Sequence, residues 1–132
     1  MATRSYRVGF MVTDTHGDIR CLECAPSSGS YDCFENADVN YQVTNGTTLW
    51  IGKFMTINNT AGGGFVIGYG DDAKDNSTIP TAWKAKTSTL HFTAANVLYE
   101  NEVAIPIPSQ KYAHVLGDGG AAQVTIFGIE VA

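Results

Sequence analysis

The residues of this chain best suited to chemistry are its three cysteines and the histidine just before them. His16-x4-Cys21-x2-Cys24-x8-Cys33 carries the residue types of a Cys3His zinc site, in which thiolates and an imidazole hold a tetrahedral ion. The spacing departs from the standard one because a second close pair is missing. The competing readings are a Cys24–Cys33 disulfide across the loop, or free thiols serving as small apolar residues. For a chain made in a cytoplasm, where disulfides are rare, free thiols rank first. The expectation is therefore no metal and no cofactor, with His16, Cys21, Cys24 and Cys33 as the residues to watch.

A second set of donors lies in Asp71-Asp72-Ala73-Lys74-Asp75-Asn76-Ser77, whose hard oxygens could hold calcium. The alternating D-x-D-x-D-G pattern of an EF-hand loop is missing, so a solvated loop is the plainer reading. Trp83 ends the same irregular stretch, and Tyr31 sits in an earlier one rich in Ser and Asp. Aromatic faces beside amides and carboxylates suit sugar recognition, since C–H faces stack while hydroxyls find fixed partners. Asp71, Asp72, Asp75, Asn76 and Trp83 thus form a candidate ligand loop. The favoured alternative makes Trp83 an apolar anchor packing the long loop onto the rim of the fold.

Catalysis finds little support. The chain has no G-x-S-x-G, no H-E-x-x-H and no P-loop. His16, His91 and His114 lie on separate segments, and nothing in the sequence pairs them with a nucleophile. The expectation is a protein that is not an enzyme.

The elements that must position these residues read as strands. In 39–70, Tyr41 and Val43 lead into Thr44-Asn45-Gly46-Thr47, and Asn-Gly is a strong hairpin signal. Leu49 to Ile57 is apolar on both phases, as in a strand covered on both sides. After a Gly-rich reversal, Phe65, Ile67 and Tyr69 return on one face. This predicts an antiparallel meander. Before it, Tyr6, Val8, Phe10 and Val12 alternate as a strand, 14–18 reads as a turn, Ile19–Glu23 as a short return strand and Cys24–Asp38 as a surface loop.

After the meander, Leu90 and Phe92 share one face of a short strand, with His91 pointing outward. Val97, Tyr99, Val103, Ile105 and Ile107 share a face of a longer one, and Pro106 puts its end at an edge or a bulge. Tyr112–Leu116 and Val124–Val131 close the chain, the last slipping phase between Ile126 and Phe127. Eight or nine strands at these spacings predict an all-β, antiparallel two-sheet sandwich of the jelly-roll kind. The 132 residues are read as one sandwich domain, with 1–38 a strand pair plus Cys-bearing loop and 39–132 the main body.

Composition narrows the partners. A net charge of −5, with only eight basic residues, argues against nucleic acid, which needs clustered Lys and Arg. It equally disfavours anionic membranes, and no apolar run approaches the length of a membrane span. The N-terminus lacks the apolar core of a secretory signal, so synthesis in a cytoplasm is expected.

Tyr41-Gln42-Val43, Gly46, Leu49-Trp50-Ile51, Gly62-Gly63-Gly64, Trp83, Val103-Ala104-Ile105-Pro106-Ile107-Pro108, Lys111-Tyr112 and Gly128-Ile129-Glu130-Val131 follow one another in a suggestive order. Over residues 39–132 this order resembles a small β-sandwich module of tailed-phage virion structural proteins. Such modules commonly begin the first turn with Pro-Ala-Gly-Lys, where this chain has Thr-Asn-Gly-Thr, and the Cys-bearing N-terminal third has no counterpart. The resemblance implies a non-enzymatic virion component, a capsid-decoration or fibre module made in the host cytoplasm. Its partners would be its own copies and a major capsid or other virion protein. The alternative is a soluble lectin bound to a cell-surface glycan. Because Leu49–Ile57 is apolar on both phases, the Trp50/Phe54 face is expected at a contact between copies, in a trimer.

Overall fold

The computed structural model describes residues 3–5, 11–13 and 19–132, the first two segments by backbone alone. The expected strand over 6–12 and turn over 14–18, including His16, fall largely outside these residues. Among the described residues every regular element is a strand. In chain order these are β1 (Thr3–Ser5), β2 (Met11–Thr13), β3 (Arg20–Cys24), β4 (Tyr31–Cys33), β5 (Glu35–Asn36), β6 (Val39–Asn40) and β7 (Thr48–Asn58). Then follow β8 (Gly64–Gly70), β9 (Lys84–Ala85), β10 (Leu90–His91), β11 (Tyr99–Ile107), β12 (Tyr112–Asp118) and β13 (Ala122–Val131).

β1 and β2 pair with each other. The remaining strands form two antiparallel sheets, one of six strands in the order β11-β7-β13-β3-β5-β6 and one of five, β10-β8-β12-β4 with β9 also on β8. Between them lies one core, built from Leu22, Phe34, Leu49, Ile51, Phe54, Phe65, Ile67, Phe92, Ile107, Val115, Val124 and Ile126 among others. This is a two-sheet β-sandwich. Its pairing is nested: β3 with β13, β4 with β12 and β7 with β11 join strands counted inward from the two ends, and β8 closes the series with β10 and β9. The pairings β7–β13 and β8–β12 bind these ribbons into sheets.

The nested order corrects the expected meander. β7 and β8 lie in opposite sheets, so the Gly-rich reversal between them crosses the sandwich instead of turning a hairpin. Asn45-Gly46 does turn, with Thr47 N–H donating to Thr44 C=O at 3.1 Å. Its N-terminal arm, however, bonds to 110–112 beside the other sheet: Val43 N–H donates to Lys111 C=O and Gln42 bridges Tyr112. Glu130 fastens this turn, accepting from Thr44 N–H at 3.1 Å, Thr47 Oγ1 at 3.2 Å and the Tyr41 hydroxyl. The glutamate of the terminal Gly-Ile-Glu-Val is thus a structural clamp. The first third is no appendage either, since β3 sits inside the larger sheet against β13 and β4 flanks β12 in the smaller one. Cys24–Asp38, expected as a surface loop, contains β4 and β5 and the fully buried Phe34.

The two-sided apolarity of Leu49–Ile57 has a different origin from the one expected. Leu49 and Ile51 point inward, and so do Phe54, Thr56 and Asn58, because the inward phase changes at Gly52. Pairing slips there on both sides, between Phe127 and Gly128 of β13 and between Glu102 and Ile105 of β11. Such a β-bulge adds a residue and turns the following side chains to the other face. Phe54, only 3% exposed and edge-on to Phe65 at 5.6 Å, is therefore core, while Trp50, 37% exposed, stands on the outer face. No shared Trp50/Phe54 face exists. The apparent phase slip of Val124–Val131 belongs to the same bulge: β13 itself alternates, with Phe127, Ile129 and Val131 paired on the outer side with Lys53, Trp50 and Thr48. β11 is an edge strand, one of the two settings that Pro106 allows.

Candidate functional site

The outer face of the smaller sheet carries one cysteine and one histidine side by side. Cys33 on β4 and His114 on β12 are directly opposed across the strand pair. Their neighbours Phe34, Ala113 and Val115 belong to the core, so strict alternation turns Cys33 and His114 outward. Both are nonetheless fully buried, because the loop between β8 and β9 roofs them. Gly68, beside His114 in the sheet, makes room for the roof: a Cβ there would meet the Trp83 ring at 2.4 Å. The Trp83 indole packs edge-on to Tyr31 at 5.1 Å and to His114 at 6.4 Å.

Residues 75–76 run along the free edge of β4. Asp75 Oδ1 accepts from Cys33 N–H at 2.6 Å, and Asn76 C=O accepts from Tyr31 N–H at 2.8 Å. Asp75 thereby supplies, with a side chain, the acceptor that a further strand would have supplied. One ligand atom each from Cys33, Asp75 and His114 lies within 4.8 Å of the other two, the one such trio among the described residues. Asp75 is exposed, so the trio is reached from its side.

The His114 tautomer follows from its partner. Nε2 lies 2.6 Å from the Asp72 backbone carbonyl, which can only accept, so Nε2 carries the proton. Nδ1 keeps a lone pair and, though buried, has no hydrogen-bond partner. Burial holds the ring below its ordinary pKa, outweighing the Asp72 carbonyl and the nearby Asp75 and Asp72 charges, so the imidazole is neutral at pH 7. The Cys33 thiol is pushed up to about 12 by burial and then by the charges of Asp75 and Asp32. Asp32 is itself raised, by burial and by Asp75, despite its bond from Ala25 N–H. Asp32 also lines a cleft of about 360 Å³ together with Glu23, Glu35 and Asp38.

Cys, His and Asp together admit two chemistries. A nucleophilic cysteine must reach the thiolate and meet substrate, and a fully buried thiol with a pKa near 12 does neither. Metal ligation asks for a neutral imidazole with a free lone pair and a second-shell acceptor on its other nitrogen, both present at His114.

The lower-ranked zinc candidates are not drawn together among the described residues, which leave out His16. Cys21 and Cys24 stand three apart on β3 and point to opposite faces, Cys21 exposed and Cys24 buried, with all three thiols free. Cys33 alone of that set joins the trio. The candidate ligand loop also disperses. Asp71 pairs with Lys111; Asp72 Oδ2 accepts from Thr81 Oγ1 at 2.7 Å and Thr81 N–H at 3.3 Å; Asn76 Oδ1 caps Thr78 N–H at 2.7 Å. Asp75 alone turns to the trio, and Trp83 is a half-buried anchor. The sequence does not single out His114 as a donor, yet it is the third member of the trio. Its signal was a polar residue on the solvent phase of Tyr112–Leu116, meaningful only once Cys33 is known to lie opposite. No family model, no curated protein and no solved structure matches this chain.

Proposed function

We propose that the chain is a non-enzymatic structural module of a virion, a capsid-decoration or fibre component that works by self-association and docking on a repeating lattice. The observation that carries this reading is the nested strand order. We read it as the order of a jelly roll, an architecture that viral capsid and lectin domains share. Trp83 weighs against the second of those two. A sugar platform needs an open aromatic face, and this indole is wedged over Gly68 against Tyr31 and His114.

The contact between copies centres on Trp50, the exposed aromatic of the larger sheet's outer face. Part of that face is already covered within the chain, since Ile129, paired with Trp50, is 2% exposed. A second copy would cover the remainder. The test is co-sedimentation with empty capsids of the parent virus, alongside a glycan array. Capsid binding that survives Trp83→Ala and weakens with Trp50→Ser supports the proposal. Glycan binding abolished by Trp83→Ala, with no capsid binding, replaces it with a lectin.

A further inference from the structure

We propose that Cys33, Asp75 and His114 form a binding site for one zinc-type divalent ion, which ties the loop between β8 and β9 to the smaller sheet. Three independent features converge. The first is the donor set: a thiol, a carboxylate and an imidazole, one from each of β4, the loop and β12, within 4.8 Å of one another. Mixed S, N and O donors suit a borderline-soft ion such as Zn²⁺ over calcium or magnesium, which take oxygen alone.

The second is His114. It is fully buried, donates Nε2–H to the Asp72 carbonyl and leaves Nδ1 without a partner. A polar atom that is buried without a partner has lost its hydration and gained nothing for it, so a fully buried side chain seldom keeps one without a use. Arg20 Nε, Asn40 Oδ1 and Asp72 Oδ1 are also unpaired, but on part-exposed side chains; fully buried Asn58 is satisfied, its Nδ2 donating to Gly119 C=O at 3.2 Å and its Oδ1 accepting from Thr60 N–H at 2.8 Å. A ligating histidine, by contrast, keeps one nitrogen for the ion and fixes its ring through the other.

The third is charge. The groups acting on Cys33 through space are Asp75, Asp32 and Glu35, all acidic, and Asp75 and Asp32 also act on each other. A divalent ion would neutralise this nest. Ligands about 2.0–2.3 Å from a tetrahedral ion stand roughly 3.3–3.8 Å apart, so the trio, whose atoms lie within 4.8 Å, tightens by at most about 1–1.5 Å on binding. The exposed Asp75 can supply most of that movement, and solvent on its side supplies the fourth ligand. On binding, the Sγ–H bond of Cys33 breaks as the metal–sulfur bond forms, and the proton leaves to solvent.

The experiment is titration of the purified, folded full chain with Zn²⁺, read by native mass spectrometry, and with Co²⁺, read by absorption. One ion per chain is expected, with Co²⁺ giving thiolate charge-transfer and tetrahedral ligand-field bands. Asp75→Asn keeps an oxygen to accept from Cys33 N–H, so it should remain folded while weakening Zn²⁺ binding at least about 10–100-fold, the loss typical of disturbing even an outer-shell partner. Cys33→Ser should abolish the charge-transfer band. Cys21→Ser, an exposed thiol on another face, should change neither readout. The proposal is overturned if folded wild type takes up no ion at micromolar Zn²⁺, if Asp75→Asn binds like wild type, or if Cys21→Ser is the variant that loses the ion.

Discussion

Replacing Phe54 and Trp50 separately by alanine tests the bulge at Gly52, on which the inner and outer faces of β7 depend. Phe54 is 3% exposed and edge-on to Phe65 at 5.6 Å and 86°. Truncating such a residue costs about 3–5 kcal/mol through lost transfer energy and the cavity left behind. The lost aromatic pair, about 0.5–1.5 kcal/mol, pushes the value toward the upper end. Trp50 is 37% exposed, so roughly two-thirds of the about 1.5–3 kcal/mol for a fully buried side chain is at stake, or about 1–2 kcal/mol. Its loss opens no closed cavity.

The assay is urea unfolding followed by circular dichroism at a dilution where the wild type is monomeric, so that association does not enter. With a slope of about 1–3 kcal/mol per molar urea, a gap of about 2 kcal/mol separates the two midpoints by roughly 1 M. Phe54→Leu, a milder change, keeps the comparison readable if Phe54→Ala does not fold. If Trp50→Ala lowers the midpoint as far as Phe54→Ala, or further, β7 alternates without a bulge and its faces are assigned wrongly.

Glu130 offers a pH test. Burial raises its pKa, but hydrogen bonds from Thr44, Tyr41 and Thr47 outweigh this and hold it below its ordinary 4.5. The stability it contributes is therefore present above pH 4.5 and is lost as pH falls through the folded value, where the unfolded state binds more protons. Glu130→Gln should flatten the acid limb of a stability–pH curve, and an unchanged limb would contradict the clamp. Gly46 has φ +84° with open space around a built Cβ, so Gly46→Val should cost about 1 kcal/mol or more from backbone strain alone. An unchanged melting midpoint would remove that turn. An aromatic disulfide reagent should titrate one thiol rapidly in the native protein, the exposed Cys21, and all three after denaturation. Rapid reaction of two or more in the native state would contradict the burial of Cys24 and Cys33.

The fold class was legible because β7, β8, β12 and β13 each carry runs of β-branched and aromatic residues between Gly- and Asn-rich breaks. Which sheet each strand joins was not, since a reversal such as 59–63 reads the same whether it turns a hairpin or crosses a sandwich. The bulge was hidden too. A strand apolar on both phases and a strand that changes phase at a glycine have the same composition, and only the pairing with β11 and β13 separates them. Among the described residues the two-residue hairpin with positive φ at both turn positions uses Ala37-Asp38, φ 51° and 66°, while the stronger sequence signal at Asn45-Gly46 leads from an arm bridged to β12 of the smaller sheet into β7 of the larger one. Of the site, Cys33 and Asp75 were singled out for other sets. His114 entered only through a register that places it opposite Cys33, eighty-one positions away in sequence.

The claim at the centre of this account, a structural module acting through its own copies, is tested most directly by the mass in solution from light scattering at micromolar concentration. A stable species of three times the 14.1 kDa chain mass, reduced toward a single chain by Trp50→Ser with the β-type circular dichroism intact, is the result expected. A wild-type protein that remains at 14.1 kDa across the accessible concentration range would contradict it.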